Sequence, residues 1–327
     1  MNSWSIVLPI YNGQQYLEKS LKSIVGQDFN DFEILVCDDG STDDSLRIAE
    51  SFLSDSRFTV IRNDTNRGLF YTLNRLVRES RGERIRLWSQ DDLLKPNCLS
   101  VENEFWNRYP QVGLCYSAYD RIDESGTVVL AAQYDPTPEF VPQWLADQIS
   151  FYHGCMAGNI ASMSFRRDSF FKIGPFKESL RVSGDFEFFV RMAADFPIGR
   201  QQMPVVQVRS HNAQFSRWSS SAVCFMRENE PIFDELFSRL PERFLAHAKQ
   251  YRIRNQDVSL FHHAVRSLPK GDVAIAGEIF RHLNRNSHLL SAFFWWFVSI
   301  NKRLIKPSTP YLSLTGKTWT KISTDMT

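Results

Sequence analysis

Short apolar runs alternate with amphipathic segments over the first hundred residues. Four apolar runs predict buried strands, at residues 5–10, 32–37, 58–61 and 84–88. Three segments between them repeat apolar residues at helical spacing, at residues 16–25, 43–53 and 69–79. This alternation predicts an α/β fold whose mostly parallel sheet is covered by helices.

The pattern changes along the rest of the chain. Further strands are expected at residues 112–116, 128–130, 159–165 and 205–208, with a helix at 185–194. Beyond residue 219 the spacing becomes helical, with candidate helices at 225–240, 241–251, 258–268 and 273–283. We therefore predict a catalytic domain over residues 1–218 and a helical C-terminal region over residues 219–327.

Composition narrows the class of protein. The 327 residues are 43% apolar and carry a formal net charge of +1, which excludes global disorder and argues against a nucleic-acid partner. The five cysteines form no C-x-x-C pair, so a zinc site or disulfide framework is not expected. Residues 289–300 are the longest apolar run and fall short of the roughly 20 residues that span a bilayer. With no signal peptide visible, the expected location is the cytoplasm, with peripheral contact to the inner face of the membrane as an option.

Two acidic pairs follow predicted strands. Asp38 and Asp39 come after the second strand, and Asp91 and Asp92 after the fourth. Ligands of open α/β sheets bind beyond the carboxyl ends of the strands, so both pairs are expected to face one crevice. Carboxylates crowded together are costly unless they hold a cation or bind a polar ligand.

Five short motifs follow one another along the chain. They are Val-Leu-Pro-Ile-Tyr-Asn at 7–12, Asp-Asp-Gly-Ser-Thr-Asp at 38–43, Asn-Arg-Gly at 66–68, Gln-Asp-Asp at 90–92, and Gly-Asp-Phe-Glu-Phe-Phe-Val-Arg at 184–191. Together they make residues 4–216 resemble the family 2 glycosyltransferases, which have a GT-A, Rossmann-like fold. The resemblance implies transfer of a sugar from a nucleotide-diphosphate sugar to a hydroxyl of a glycan or lipid-linked acceptor, with inversion, in bacterial surface polysaccharide synthesis.

The resemblance also assigns nucleotide-binding residues. Asp39 would accept a hydrogen bond from the base, with Asp38 beside it and with Pro9 and Tyr11 shaping the pocket. Arg67 would lie near the base or diphosphate. The alternative is that the motif at 38–43 is only a turn and helix cap, and Arg67 a solvated turn residue.

A divalent cation, Mn²⁺ or Mg²⁺, is implied as the counter-charge for the diphosphate leaving group. Asp92 would be its ligand, and Asp91 would contact the ribose or the metal's surroundings. Arg209 and His211, in a segment that many relatives share, would neutralise the leaving group and contact the metal or a phosphate. The alternatives are an Asp-Asp turn and a surface loop.

Asp185 is the candidate catalytic base, since an inverting transfer needs one carboxylate to take the acceptor's proton. Relatives often have an acidic residue just before this position, where this chain has Gly184. The alternative role for Asp185 is a helix cap.

The C-terminal region allows two interpretations. Residues 281–306 combine basic and aromatic side chains, which suits a peripheral membrane contact. They also suit a helix that docks on the catalytic domain or on a second copy of the chain. Two rival functions remain open at this point: a nucleotidyltransferase, which would need a Gly- and Arg-rich loop near the first strand, and a non-catalytic nucleotide-sugar-binding scaffold.

Overall fold

The computed structural model describes residues 3–211 and 221–300. The chain divides into two compact units, Met1–Arg217 and Trp218–Thr327. The predicted boundary at 218/219 lies in the segment outside the described residues and stays a prediction. The same holds for residues 212–216 of the motif that begins at Arg209, and for residues 301–306 of the basic, aromatic segment.

The described part of the N-terminal unit is built on one ten-stranded sheet. Its strands, in chain order, are β1 Trp4–Ile10, β2 Phe32–Asp38, β3 Phe58–Arg62, β4 Arg84–Leu87, β5 Leu93–Leu94, β6 Leu114–Ile122, β7 Val128–Leu130, β8 Phe140–Val141, β9 Met163–Arg166 and β10 Ile198–Arg209. The order across the sheet is β3-β2-β1-β4-β9-β6-β10-β5, with β7 on β6 and β8 on β10. Strands β3, β2, β1 and β4 pair in parallel, while β9 runs antiparallel to both β4 and β6. The predicted mostly parallel sheet is confirmed.

Seven helices accompany the sheet in this part of the chain. They are α1 Gln14–Val25, α2 Ser45–Glu50, α3 Leu69–Glu79, α4 Cys98–Arg108, α5 Gln143–His153, α6 Arg167–Ile173 and α7 Gly184–Asp195. Alternate residues of β1, Ile6 and Leu8, pack in one buried cluster with Leu17 of α1 and Leu99 of α4. Helix α7 is anchored by Phe188, whose ring lies 4.1 Å from that of Phe176, centroid to centroid.

Two of the differences between the predicted and the observed elements have a clear local cause. Residues Ile160–Ser162 form a 3₁₀ turn and not strand, because the Asn159 side chain accepts a hydrogen bond from Ala161 N at 2.7 Å. Strand β9 therefore begins only at Met163. Helix α2 begins at Ser45 and not at Asp43, because the Asp43 carboxylate accepts from the backbone N–H groups of Ser45 and Gln14.

The described part of the C-terminal unit is helical, as predicted. Its helices are α8 Ser221–Arg239, α9 Glu242–Tyr251, α10 Val258–Ser267, α11 Val273–Arg285 and α12 Leu289–Ile300. Val223 of α8, Phe261 of α10 and Ile279 of α11 share its buried core. Among residues 3–211 and 221–300, every helix is too short or too polar to cross a membrane.

Candidate active site

The loops after β1 and β4 are joined by the side-chain amide of Gln90. Tyr11 N donates to Gln90 Oε1 at 2.9 Å, and Gln90 Nε2 donates back to Tyr11 O at 3.0 Å. Gly13 makes room for this contact, since a Cβ there would lie 2.3 Å from Gln90 Cδ. Tyr11 itself is 44% exposed at the carboxyl end of β1, and Pro9 is half-buried within the strand. Gln90 thus fixes where Tyr11 stands.

The loops after β1 and β2 are joined by Asn12. Its backbone has a φ of +46°, which an asparagine tolerates better than most residues. Asn12 N donates to Ser41 Oγ at 3.0 Å, and Asn12 Oδ1 accepts from Thr42 N at 2.9 Å. Asp38 also stabilises the loop after β2. Its fully buried carboxylate accepts a hydrogen bond from Ser41 N and pairs with Arg62 at 3.3 Å. This burial gives Asp38 a role in shaping the loop, and its direct contact with a nucleotide stays a prediction.

Asp39 joins the β2 loop to the start of α3. Its Oδ1 accepts from Asn63 Nδ2 at 2.7 Å and from Arg67 N at 2.9 Å, and its Oδ2 accepts from Gly68 N at 2.9 Å. The side chain is only 4% exposed. A carboxylate has about four acceptor positions, so these three donors leave room for one more. Binding of a base N–H group at that remaining position stays a prediction.

Arg67 is exposed, as are residues 64–66 of the same loop. Its guanidinium lies 4.3 Å from the ring centroid of Tyr71, a cation–π contact, while its backbone N–H binds Asp39. Contact of the Arg67 side chain with the base or diphosphate stays a prediction.

The β4 loop and the end of β10 bring the second acidic pair together with His211. Asp91 Oδ2 and His211 Nε2 are 2.9 Å apart, and Asp91 Oδ1 accepts from Ser89 Oγ at 2.6 Å. The His211 ring also packs on Tyr16, with centroids 5.2 Å apart. Asp91 and His211 are thus adjacent and partly exposed to solvent.

Asp92 points inward. It is 2% exposed, and its Oδ1 accepts from Arg209 N at 2.7 Å. Burial raises the pKa of Asp92 well above its usual value, and the neighbouring Asp91 charge raises it further. Arg209 is buried, with 1% of its surface exposed. Its Nε donates to Asp91 O at 2.8 Å, and its guanidinium lies 4.6 Å from the Tyr16 ring centroid. Contact of Arg209 with the leaving group stays a prediction.

Asp185 lies in the first turn of α7, where its Oδ1 accepts from Phe186 N at 2.8 Å. A helix N-terminus stabilises a negative side chain, which is the ionised form that a base requires. Burial raises the pKa of the Cys155 thiol, and the charge of Asp185 raises it further.

A glycine contact ties Asp185 to the Asp39 loop. Gly184 packs on the Phe70 ring so closely that a Cβ there would lie 2.5 Å from Phe70 Cε2. Phe70 is two residues beyond Gly68, whose N–H binds Asp39. The Phe70 ring thus occupies the space that a side chain preceding Asp185 would need. The start of α7 and the Asp39 loop consequently share one edge of the sheet with the loops after β1 and β4.

The arrangement offers only part of a metal site. Asp91 and His211 present one carboxylate oxygen and one imidazole nitrogen, while the described residues contain no group of three His, Cys, Asp or Glu side chains that could hold an ion. An oxygen and nitrogen donor set suits Mn²⁺, and a cation of this kind commonly completes its shell with substrate phosphates. The residues present therefore fit a cation that is shared with a diphosphate.

The sequence model described as "Glycosyl transferase family 2" matches residues 5–165. A Rickettsia conorii protein named "Uncharacterized glycosyltransferase RC0461" is 26% identical over 219 residues, which are 65% of this chain and 35% of that protein. Escherichia coli chondroitin synthase is 30% identical over 125 residues, 38% of this chain and 18% of that protein. This chain thus spans well under half of the length of either relative.

Two solved structures share the fold. S. aureus TarS 1-349, solved with UDP-GlcNAc, has a TM-score of 0.61 at 16% identity and covers 92% of both chains. The mannosyltransferase PcManGT from Pyrobaculum calidifontis, solved with GDP-Man and Mn²⁺, has a TM-score of 0.53 at 17% identity, over 99% of this chain and 84% of that one. The sheet, the sequence match and these neighbours agree: residues 5–165 match glycosyltransferase family 2, and the chain has a GT-A fold.

Proposed function

We propose that this enzyme is an inverting transferase that moves a sugar from a nucleotide-diphosphate sugar to a hydroxyl of a glycan or lipid-linked acceptor. The observation that carries the proposal is the set of contacts that joins the Asp39 loop, the Gln90–Asp92 loop and the start of α7 at one edge of the sheet. A nucleotide at Asp39 and Tyr11 would extend its diphosphate toward Asp91 and His211. The sugar would then lie between that diphosphate and Asp185.

In this scheme the protein's own groups perform separate tasks. Asp39 and Tyr11 hold the base, and Arg67 adds a positive charge beside it. Asp185 takes the proton from the acceptor hydroxyl as that oxygen attacks the anomeric carbon from the face opposite the diphosphate, which gives inversion. The buried Arg209 offsets the negative charge of Asp91 and Asp92.

A divalent cation, Mn²⁺ or Mg²⁺, would be held by Asp91 and His211, and by Asp92 if its side chain turns outward. When bound, it supplies positive charge that stabilises the departing diphosphate. We expect Asp92→Ala and His211→Gln each to weaken the Mn²⁺-dependent part of nucleoside-diphosphate binding. Calorimetry with and without Mn²⁺ measures this, and a variant whose affinity matches the parent's under both conditions loses its place in the metal site.

The donor and acceptor classes rest on similarity. The structural neighbours were solved with UDP- and GDP-linked sugars, so these two nucleotides are the first to test. The match to chondroitin synthase supports a role in bacterial surface polysaccharide synthesis. The exposed apolar side chains of α12, among them Leu290, Phe294 and Phe297, suit either a peripheral membrane contact or a second copy of the chain. Vesicle flotation and sedimentation separate these two cases.

The decisive experiment is a screen of UDP- and GDP-sugars with Mn²⁺ by thermal shift, followed by turnover of the donors that bind. Proton NMR of the first product gives its anomeric configuration. An inverted configuration supports the proposal, and a retained one refutes the single-displacement scheme.

A further inference from the structure

A cleft rich in arginine lies at the opposite end of the sheet from the candidate active site. It has a volume of about 670 Å³ and is lined by the turn before β4, the end of β9 and the start of α6. Trp4, whose ring lies 5.6 Å from the Arg84 guanidinium, begins β1, while Tyr11 follows the end of that seven-residue strand. At about 3.3 Å per residue, the two sites are roughly 20 Å apart.

The lining of this cleft, the arginine cleft, is strongly basic. It carries Arg81, Arg84, Arg166 and Arg167 against the two carboxylates Glu83 and Asp168, a net charge of +2. The volume is in the range of small-molecule sites, which commonly use a few charged groups to fix their ligand.

The strand register forces two of these cations together. Arg84 and Arg166 are directly opposed in the antiparallel pair of β4 with β9. Like charges at directly opposed positions destabilise a sheet. Burial lowers the pKa of Arg84, the charge of Glu83 raises it, and the charge of Arg166 lowers it. A bound anion would relieve the repulsion between Arg84 and Arg166.

The described contacts of these arginines are mostly with neutral groups. Arg84 donates to the neutral amide oxygens of Asn103 and Asn107, at 2.5 and 2.8 Å. Arg167 donates to Ser80 Oγ at 3.3 Å and to the backbone oxygen of Arg78 at 3.4 Å, and its guanidinium lies 4.8 Å from the Phe171 ring centroid. Among the described residues of the cleft, Arg166 pairs with the carboxylate of Asp168 at 3.2 Å. These contacts orient the guanidinium groups, and the two carboxylates of the lining offset half of their charge, so the cleft keeps a net charge of +2.

The turn before β4 packs closely against the backbone of β1. Gly82 lies against β1, where a Cβ would be 2.5 Å from the backbone carbon of Trp4, and Gly82 N donates to Ser5 Oγ at 2.8 Å. This contact fixes the turn that presents Arg81, whose side chain is exposed.

We propose that the arginine cleft is a binding site for phosphate groups, carried by a soluble organic phosphate or by an anionic lipid headgroup. The planar guanidinium fork matches phosphate oxygens, and several such forks around one cleft favour a diphosphate or phosphodiester over a single carboxylate.

The test uses the double variant R81Q/R167Q in the full chain, with R47Q as the control. Arg47 is an exposed arginine outside the cleft that pairs with Asp44. Calorimetry with sodium pyrophosphate at low salt and in EDTA measures binding. Because EDTA removes the cation that the proposed donor site needs, the result is independent of the proposed function.

We expect the parent and R47Q to bind pyrophosphate alike and the double variant to bind at least about tenfold more weakly. Equal affinity in parent and double variant, or an equal loss in R47Q, overturns the proposal. Thermal melting checks folding, and R81Q alone serves if the double variant is unstable. Flotation with phosphatidylcholine vesicles, with and without phosphatidylglycerol, distinguishes the two sources of the phosphate group. If R81Q/R167Q loses flotation and R47Q does not, the ligand is a lipid headgroup. If R81Q/R167Q loses pyrophosphate binding but floats like the parent, the ligand is a soluble phosphate.

Discussion

Gly184→Ala tests the packing that brings Asp185 to the Asp39 loop. Alanine in place of glycine in a helix normally raises stability by about 0.5–1 kcal/mol, because it restricts the unfolded chain. Here the new Cβ would lie 2.5 Å from the Phe70 ring, which is buried and stacked on Phe176. Overpacking a core costs about 1–3 kcal/mol, so the clash outweighs the propensity gain. We expect a net loss of about 0.5–2 kcal/mol in the free energy of unfolding.

Gly277→Ala is the matched control. Gly277 lies within α11, and nothing stands within 4 Å of the position of an added Cβ. The same substitution should therefore stabilise that helix by about 0.5–1 kcal/mol. Urea unfolding followed by circular dichroism measures both variants against the parent.

A double-mutant cycle with Phe70→Leu isolates the contact. The smaller leucine leaves room for the methyl group that G184A adds, so the pair G184A/F70L should be more stable than the two single losses predict. We expect a coupling energy of about 0.5–2 kcal/mol. If G184A stabilises the chain, or if the two changes add within about 0.3 kcal/mol, then α7 does not begin against the Phe70 ring and the placement of Asp185 is wrong.

Two further changes probe the loops at the candidate active site. Asp39→Asn removes a charged acceptor from three hydrogen bonds. We therefore expect the free energy of unfolding to fall by about 2–4 kcal/mol in urea titrations. A loss under about 1 kcal/mol would contradict the geometry. Gln90→Ala deletes both hydrogen bonds to the Tyr11 backbone, so affinity for the preferred nucleoside diphosphate should fall about tenfold, while Gln14→Ala should change it far less. Equal effects of the two glutamine variants in calorimetry would remove Gln90 from its positioning role.

The sheet and its active edge were predictable because parallel strands have simple signatures. An apolar run such as that at 32–37, between two helical segments, predicts a buried parallel strand. The acidic pairs follow such strands, so they are expected to lie at the carboxyl edge of the sheet. Helix α3 was predicted with its observed bounds, since its apolar residues repeat cleanly and Gly68 marks its start. These features depend only on local pattern.

Other features depend on contacts between distant residues. Helix α4 was not predicted because Glu102 interrupts its apolar face, and that carboxylate is fully buried 3.5 Å from the buried Arg86. Gln90 entered the sequence analysis only as the first residue of the Gln-Asp-Asp motif, while its contact with Tyr11 joins residues 79 apart in the chain. The burial of Asp38 and Arg209 likewise follows from strand packing that no short motif encodes.

The central claim is that Asp185 acts in the chemical step while the loops after β1, β2 and β4 bind the nucleotide. Asp185→Asn keeps the size of the side chain and its backbone contact but removes the base, and general-base catalysis contributes about 10²- to 10⁴-fold. We therefore expect kcat to fall at least about a hundredfold while calorimetry gives a nucleoside-diphosphate affinity within about twofold of the parent's. Turnover by D185N at the parent's rate, or loss of nucleotide binding along with turnover, would contradict the account.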